Sequence, residues 1–168
     1  MAGTVIIRDR GLDNLAAQLQ EWMGLSVVVG IRQEKGSVVD EDGGITVAGY
    51  AAVNEFGSED GRVPERSFLR STIDERRDEY LKGLERAVLE GVDAAAAEGD
   101  GTAAVTRALG RLGMAAAGDV QATIRDLRDP PNAPYTIARK KSSNPLIDTG
   151  RMRQSIDSEV RNVSGGER

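Results

Sequence analysis

Two long apolar periods restrict what this chain can become. One runs from Phe68 and Leu69 through Ile73, Tyr80, Leu81, Leu84 and Val88 to Val92. The other runs from Val105 through Leu109, Leu112, Ala116, Val120 and Ile124 to Leu127, reaching Arg128. Apolar residues returning every three or four positions share one face of an amphipathic helix. Pro64 opens the first run, and Asp129-Pro130 stops the second. Between them Glu98-Gly99-Asp100-Gly101 makes a turn, with Thr102 placed to cap the second helix. Charges at three- and four-residue offsets on the first run form an ordinary solvated face. Gly110, Gly113 and Gly118 interrupt the second. Each costs about 1 kcal/mol relative to alanine in a helix interior. Their spacing fits either close approach by another element or a helix bent around a core.

Upstream, Thr4 to Arg8 reads as a short β-branched strand broken by Gly11. Leu12, Leu15, Ala16, Leu19, Trp22 and Met23 then give an amphipathic helix, which Gly24 can end. Trp22 on its apolar face is expected in the core. Ser26 to Ile31 is a second strand, and Ile45 to Tyr50 regains β character, so a hairpin with a long tip is expected. The acidic run Asp40-Glu41-Asp42 in that tip lacks the ligand spacing of a calcium loop. Ala51 to Gly57 is expected to be a short helix, and Ser58 to Arg62 a polar loop.

Four of the five prolines fall between Pro130 and Pro145, together with the basic cluster Arg139-Lys140-Lys141. This segment reads as too proline-rich and polar for a helix or central strand. Loops of such length usually carry function or stay disordered. Asp148 or Thr149 is then a natural N-cap for a short helix through Ser155, and Ser155 to Val163 alternates enough for a last strand. The fold expected is α+β, a small antiparallel sheet packed against two long helices. Residues 1–128 form the core, 129–145 an extended, Pro-rich basic arm, and 146–168 a short helix and a strand returning to the sheet.

The chain contains neither cysteine nor histidine, which excludes disulfides, thiol nucleophiles, Cys/His zinc sites and histidine-based catalysis. With a net charge of -5, nothing global favours nucleic acid. The basic cluster could still touch phosphates or an acidic partner, although Tyr135 is the one aromatic beside it. Asp148-Thr149-Gly150 matches the aspartic-protease triplet. That chemistry needs two carboxylates sharing a proton, and the following Arg151-Met152-Arg153 looks like a helix start instead. Only 4% of residues are aromatic, so the core is thin, and burial completed against neighbouring subunits suits such a chain. No apolar run reaches membrane-span length, and the first residues lack the form of a signal peptide, so synthesis in a cytoplasm is expected. No cofactor, metal or catalytic set is expected.

Three stretches, in order, carry a resemblance. They are Tyr50-Ala51-Ala52-Val53-Asn54-Glu55-Phe56-Gly57-Ser58, Val63-Pro64-Glu65-Arg66-Ser67-Phe68-Leu69-Arg70, and Asn144-Pro145-Leu146-Ile147-Asp148-Thr149-Gly150-Arg151-Met152-Arg153-Gln154-Ser155-Ile156. Together they resemble the head–tail joining, or tail-completion, neck proteins of long-tailed bacteriophages. That family shows an aliphatic-Glu-Phe-Gly turn, a proline–arginine–aromatic helix entrance and a late Asp/Asn-Thr-Gly-x-Leu/Met-x-x-Ser-Ile segment. Ser67 stands where many relatives have proline. The resemblance implies a virion structural protein, made in the host cytoplasm, that forms a ring between the portal end of the capsid and the tail tube. On this resemblance the expected ring is a hexamer, or a dodecamer nearer the portal, closed by rotational symmetry. Its partners are further copies of itself, adjacent neck proteins, a head-closure or portal adaptor, and a tail terminator or tail tube. Genome DNA passes through the lumen without sequence-specific binding, and no membrane is involved. Interface residues on this reading are Arg66, Phe68, Tyr135, Arg139, Lys140, Lys141, Asp148, Thr149, Arg151 and Arg153. The alternatives are a tail-terminator or other neck ring, a DNA-contacting adaptor using the basic cluster, and, last, a small aspartic protease.

Overall fold

The computed structural model describes residues 10–39, 44–97, 99–140 and 142–163. The expected strand Thr4 to Arg8, the acidic run 40–42, Lys141 and the tail 164–168 lie outside the described residues. The chain order is α1 (Arg10–Trp22), β1 (Leu25–Ile31), α2 (Gln33–Gly36), α3 (Val47–Phe56), α4 (Leu69–Glu75), α5 (Arg77–Ala96), α6 (Gly101–Asp126), α7 (Pro134–Lys140), α8 (Arg151–Ser155) and β2 (Ile156–Asn162). It is an α+β fold whose two-stranded antiparallel sheet packs against long helices.

The longest helix, α6, is the spine of the fold. α5 lies along one side of it and the sheet along another. Small residues let the two helices approach. Ala87 is fully buried, and a Cβ at Gly91 would lie 2.8 Å from Trp22 and closer still to Val105. Trp22 is in the core as expected, and its indole Nε1–H donates to Thr102 Oγ1 at 2.9 Å. Thr102 is therefore a partner of α1 and not the helix cap. Asp100 caps α6 instead, accepting from Ala103 N–H at 2.9 Å. The three glycines of α6 divide by role: a Cβ at Gly113 would meet Ser158 and Val27 of the sheet, whereas Gly110 and Gly118 face open space.

The expected hairpin does not form. β1 pairs with β2, from Leu25 opposite Asn162 to Ile31 opposite Ile156. Val27, Val29 and Ile31 point at α6 beside Val160 and Ile156, joining two buried clusters. Residues 47–50, expected as strand, open α3. Thr46 caps it by accepting from Gly49 N–H at 3.1 Å, and the apolar run continues to Phe56 at helical length. A single bridge between Val39 and Thr46 joins the two sides of the loop among the described residues. The first long helical run is also divided. It breaks at Arg76, inside Asp74-Glu75-Arg76-Arg77-Asp78-Glu79, six charged residues in which no apolar side chain ties the helix to the core. α1 starts earlier than expected and takes Gly11 into its first turn.

Candidate functional site

Glu55 is the best-buried acid of the three resembling stretches and organises the site. It sits on α3, 4% exposed, and its carboxylate reaches across to the start of α4. Oε2 accepts from Phe68 N–H at 2.8 Å and Leu69 N–H at 2.9 Å. Oε1 accepts from Arg70 N–H and Arg70 Nε–H, both at 3.0 Å, and from the Ser67 hydroxyl at 2.9 Å. The first N–H groups of a helix have no intrahelical partner and carry its positive dipole end. α4 has no side-chain cap of its own, and Glu55 supplies one from another helix. Burial pushes its pKa up, but hydrogen bonds from Leu69 N–H, Arg70 N–H, the Arg70 side chain and Ser67 outweigh it and hold the carboxyl below its ordinary value. Gly57 makes the turn that follows, at φ +79°. A Cβ there would press on Val63 O and Glu65 N. Arg70 also lies 4.6 Å above the exposed Phe56 ring.

Arg66 joins this turn to the proline-rich segment. Its backbone N–H donates to Asn54 O at 2.7 Å. Its buried guanidinium donates to Pro130 O at 2.8 Å and Pro131 O at 3.0 Å, with longer contacts to Asn54 Oδ1 and Asn132 Oδ1. No carboxylate pairs with it among the described residues, and burial lowers its pKa from the ordinary arginine value. The far end of the segment is tied by Asn144, which donates to Arg125 O at 2.8 Å and accepts from Leu146 and Ile147 N–H at 2.9 and 3.0 Å. Between these ties the segment is not wholly irregular. Pro134 occupies the first position of α7, where its missing N–H has no helical partner to lose, so the prolines permit a helix after all.

The tied segment, α3 and the start of α8 enclose a cleft of about 700 Å³. Arg66, Arg139, Lys140, Asp148, Thr149 and Arg151 all line it, beside Tyr50, Val53, Leu146 and Met152. Of the other expected interface residues, Phe68 is 2% exposed and belongs to the core with Ala51, Leu146, Met152 and Ile156. Tyr135 on α7 is 77% exposed and does not line the cleft. Arg153 also stands apart from the cleft, its Nε buried without a hydrogen-bond partner. Lys141 is not described. Neither Asp148 nor Thr149 caps α8 as expected. Gly150, at φ +80°, takes that position, and Thr149 Oγ1 accepts from Arg151 N–H only at 3.4 Å. Asp148 is the one carboxylate lining the cleft among the described residues, which do not assemble the paired acids of an aspartic protease there.

Charge in the cleft is predominantly positive. Lys140 Nζ has one hydrogen-bond partner, Pro145 O at 3.4 Å, and burial pulls its pKa down. Arg66 and Arg139 add to that, and Asp148 opposes it. Sequence reading missed Glu55, Asn132 and Asn144 as organisers. The available signal was Glu55 itself, a carboxylate inside an apolar helical run. Comparison of the chain with protein-family models, with curated proteins and with solved structures finds no match.

Proposed function

We propose that this chain is a structural subunit of a phage neck, assembling as a ring that joins the portal end of a capsid to a tail tube and lets DNA pass. The observation that supports the reading is spatial. Of the three stretches that carry the resemblance, the first two are near neighbours in sequence and the third lies far downstream, and all three form one structural unit. Glu55 of the first caps the helix opened by the second, and Phe68 of the second packs on Ala51 of the first and on Leu146, Met152 and Ile156 of the third. Arg66 binds that unit to the segment carrying α7. A ring subunit needs such a rigid body, because head-to-tail contacts close a ring only at a fixed rotation. The exposed apolar residues Leu81, Leu84 and Val88 of α5, Leu12 and Leu19 of α1, and Met23 just after it, suit surfaces that neighbours cover. Light scattering over a concentration series, with negative-stain images, tests this. Closed rings of six or twelve copies, formed alone or on purified tails or portal complexes, are the expected result. A chain that stays monomeric in all of these mixtures is not a ring subunit.

A further inference from the structure

Buried charges in proteins are normally paired, because removing one from water costs several kcal/mol without compensation. The cleft departs from that rule at Arg66 and, in part, at Lys140, and an exposed third cation, Arg139, stands beside them. Arg66 is buried and held only by neutral oxygens. Lys140, half-buried, has a lone carbonyl at 3.4 Å. Arg139, exposed and with no hydrogen-bond or ion-pair partner among the described residues, lines the same cavity. Among the described residues, Asp148 alone opposes them within the lining. This surplus of positive charge lies on a chain whose net charge is -5.

We propose that the cleft is a docking site for an acidic peptide segment of a partner protein, carrying Asp or Glu beside an apolar side chain. The carboxylate would sit among Arg139, Lys140 and Arg66, and the apolar side chain against Val53, Leu146 and Met152. Shape selects a peptide over duplex DNA. A cavity of about 700 Å³ has the size of an ordinary ligand pocket. It is concave and half apolar, whereas duplex DNA requires a broad exposed cationic surface. The binding does not depend on ring formation, so a monomeric protein takes up the peptide equally well.

The test uses the full chain and NMR of its backbone amides and arginine Nε–H groups. The probe is a pool of heptapeptides randomised over leucine, phenylalanine, aspartate and glutamate. Control pools replace the acids by lysine or by serine. The acidic pool shifts resonances around Arg66, Arg139 and Arg151, and salt weakens the effect. R139E, whose charge holds no other element among the described residues, and K140E, which gives up only the long contact to Pro145 O, keep the wild-type spectrum elsewhere and weaken uptake by roughly tenfold or more each. Binding unchanged in both variants, or silence with the acidic pool, overturns the proposal. So does a response to duplex DNA or inorganic phosphate at these residues while the peptides are silent. Self-association lost in R139E, again with silent peptides, would assign the cleft to a second copy and overturn it as well.

Discussion

Replacing Glu55 by glutamine keeps the side-chain shape and removes the charge that five donors share, at 2.8 to 3.0 Å. An amide has one acceptor oxygen. Turned either way, its NH₂ group faces the N–H and O–H donors of Ser67, Phe68, Leu69 or Arg70, leaving at least two of them unmet. Hydrogen bonds to a charged group contribute about 1.5–3 kcal/mol each, and a buried unmet donor costs about 1–3 kcal/mol. These terms overlap on one group, so the loss expected is about 3–5 kcal/mol, the range for breaking a buried charged pair. Against a whole-domain stability of about 5–15 kcal/mol, that is a large share. The pH dependence follows from the depressed folded pKa of Glu55. Its contribution is fully present above the ordinary value of 4.5 and is lost as pH falls through the lower folded value. Urea unfolding followed by circular dichroism therefore shows the widest gap between wild type and E55Q at neutral pH, and a narrower gap in acid. A neutral-pH gap under about 0.5 kcal/mol, the scale of ordinary surface changes, refutes the reasoning. A gap that ignores pH refutes it too. Should E55Q not fold, S67A removes one donor to the same carboxylate and is expected to lose about 1 kcal/mol.

Three further predictions come from the packing. Phe68→Ala empties the point where the three stretches meet and lowers stability by about 3–5 kcal/mol in the same titration. Alanine at Gly110 or Gly118 meets no neighbour and raises stability by about 1 kcal/mol each, whereas alanine at Gly113 presses on Ser158 and Val27 and lowers it by about 1–3 kcal/mol. Replacing α7 by a Gly-Ser linker of equal length leaves Pro130, Pro131, Asn132 and Asn144 in place and removes no buried side chain. Thermal melts are then nearly unchanged while head-to-tail joining is lost. A melt lowered by ten degrees or so, larger than about 1–2 kcal/mol allows, would show α7 to be structural.

Elements defined by their own apolar period were legible: α1, β1, the two long runs now seen as α4–α5 and α6, and β2. Partnership was not. β1 and Ile45-Thr46-Val47 look like hairpin arms locally, yet the strand that pairs with β1 comes from the far end of the chain. Local pattern holds no information on such pairing. The helix break at Arg76 and the proline-initiated α7 depend on single positions where tertiary contacts or a missing N–H decide. At the site, Arg66, Arg139, Lys140, Asp148, Thr149 and Arg151 do converge. Phe68 and Tyr135 went separate ways, one into the core and the other onto the exposed surface of α7. Glu55 was invisible as an organiser, since a carboxylate capping another helix leaves no periodic trace.

As the neck subunit proposed above, this chain completes the junction of a virion. Heads and tails purified from particles lacking the chain, mixed with and without the purified protein and counted by electron microscopy, measure that directly. Joined particles are expected only when the protein is present, with extra density at the junction. Joining that proceeds equally well without it, or heads and tails that stay separate with it, would contradict the claim.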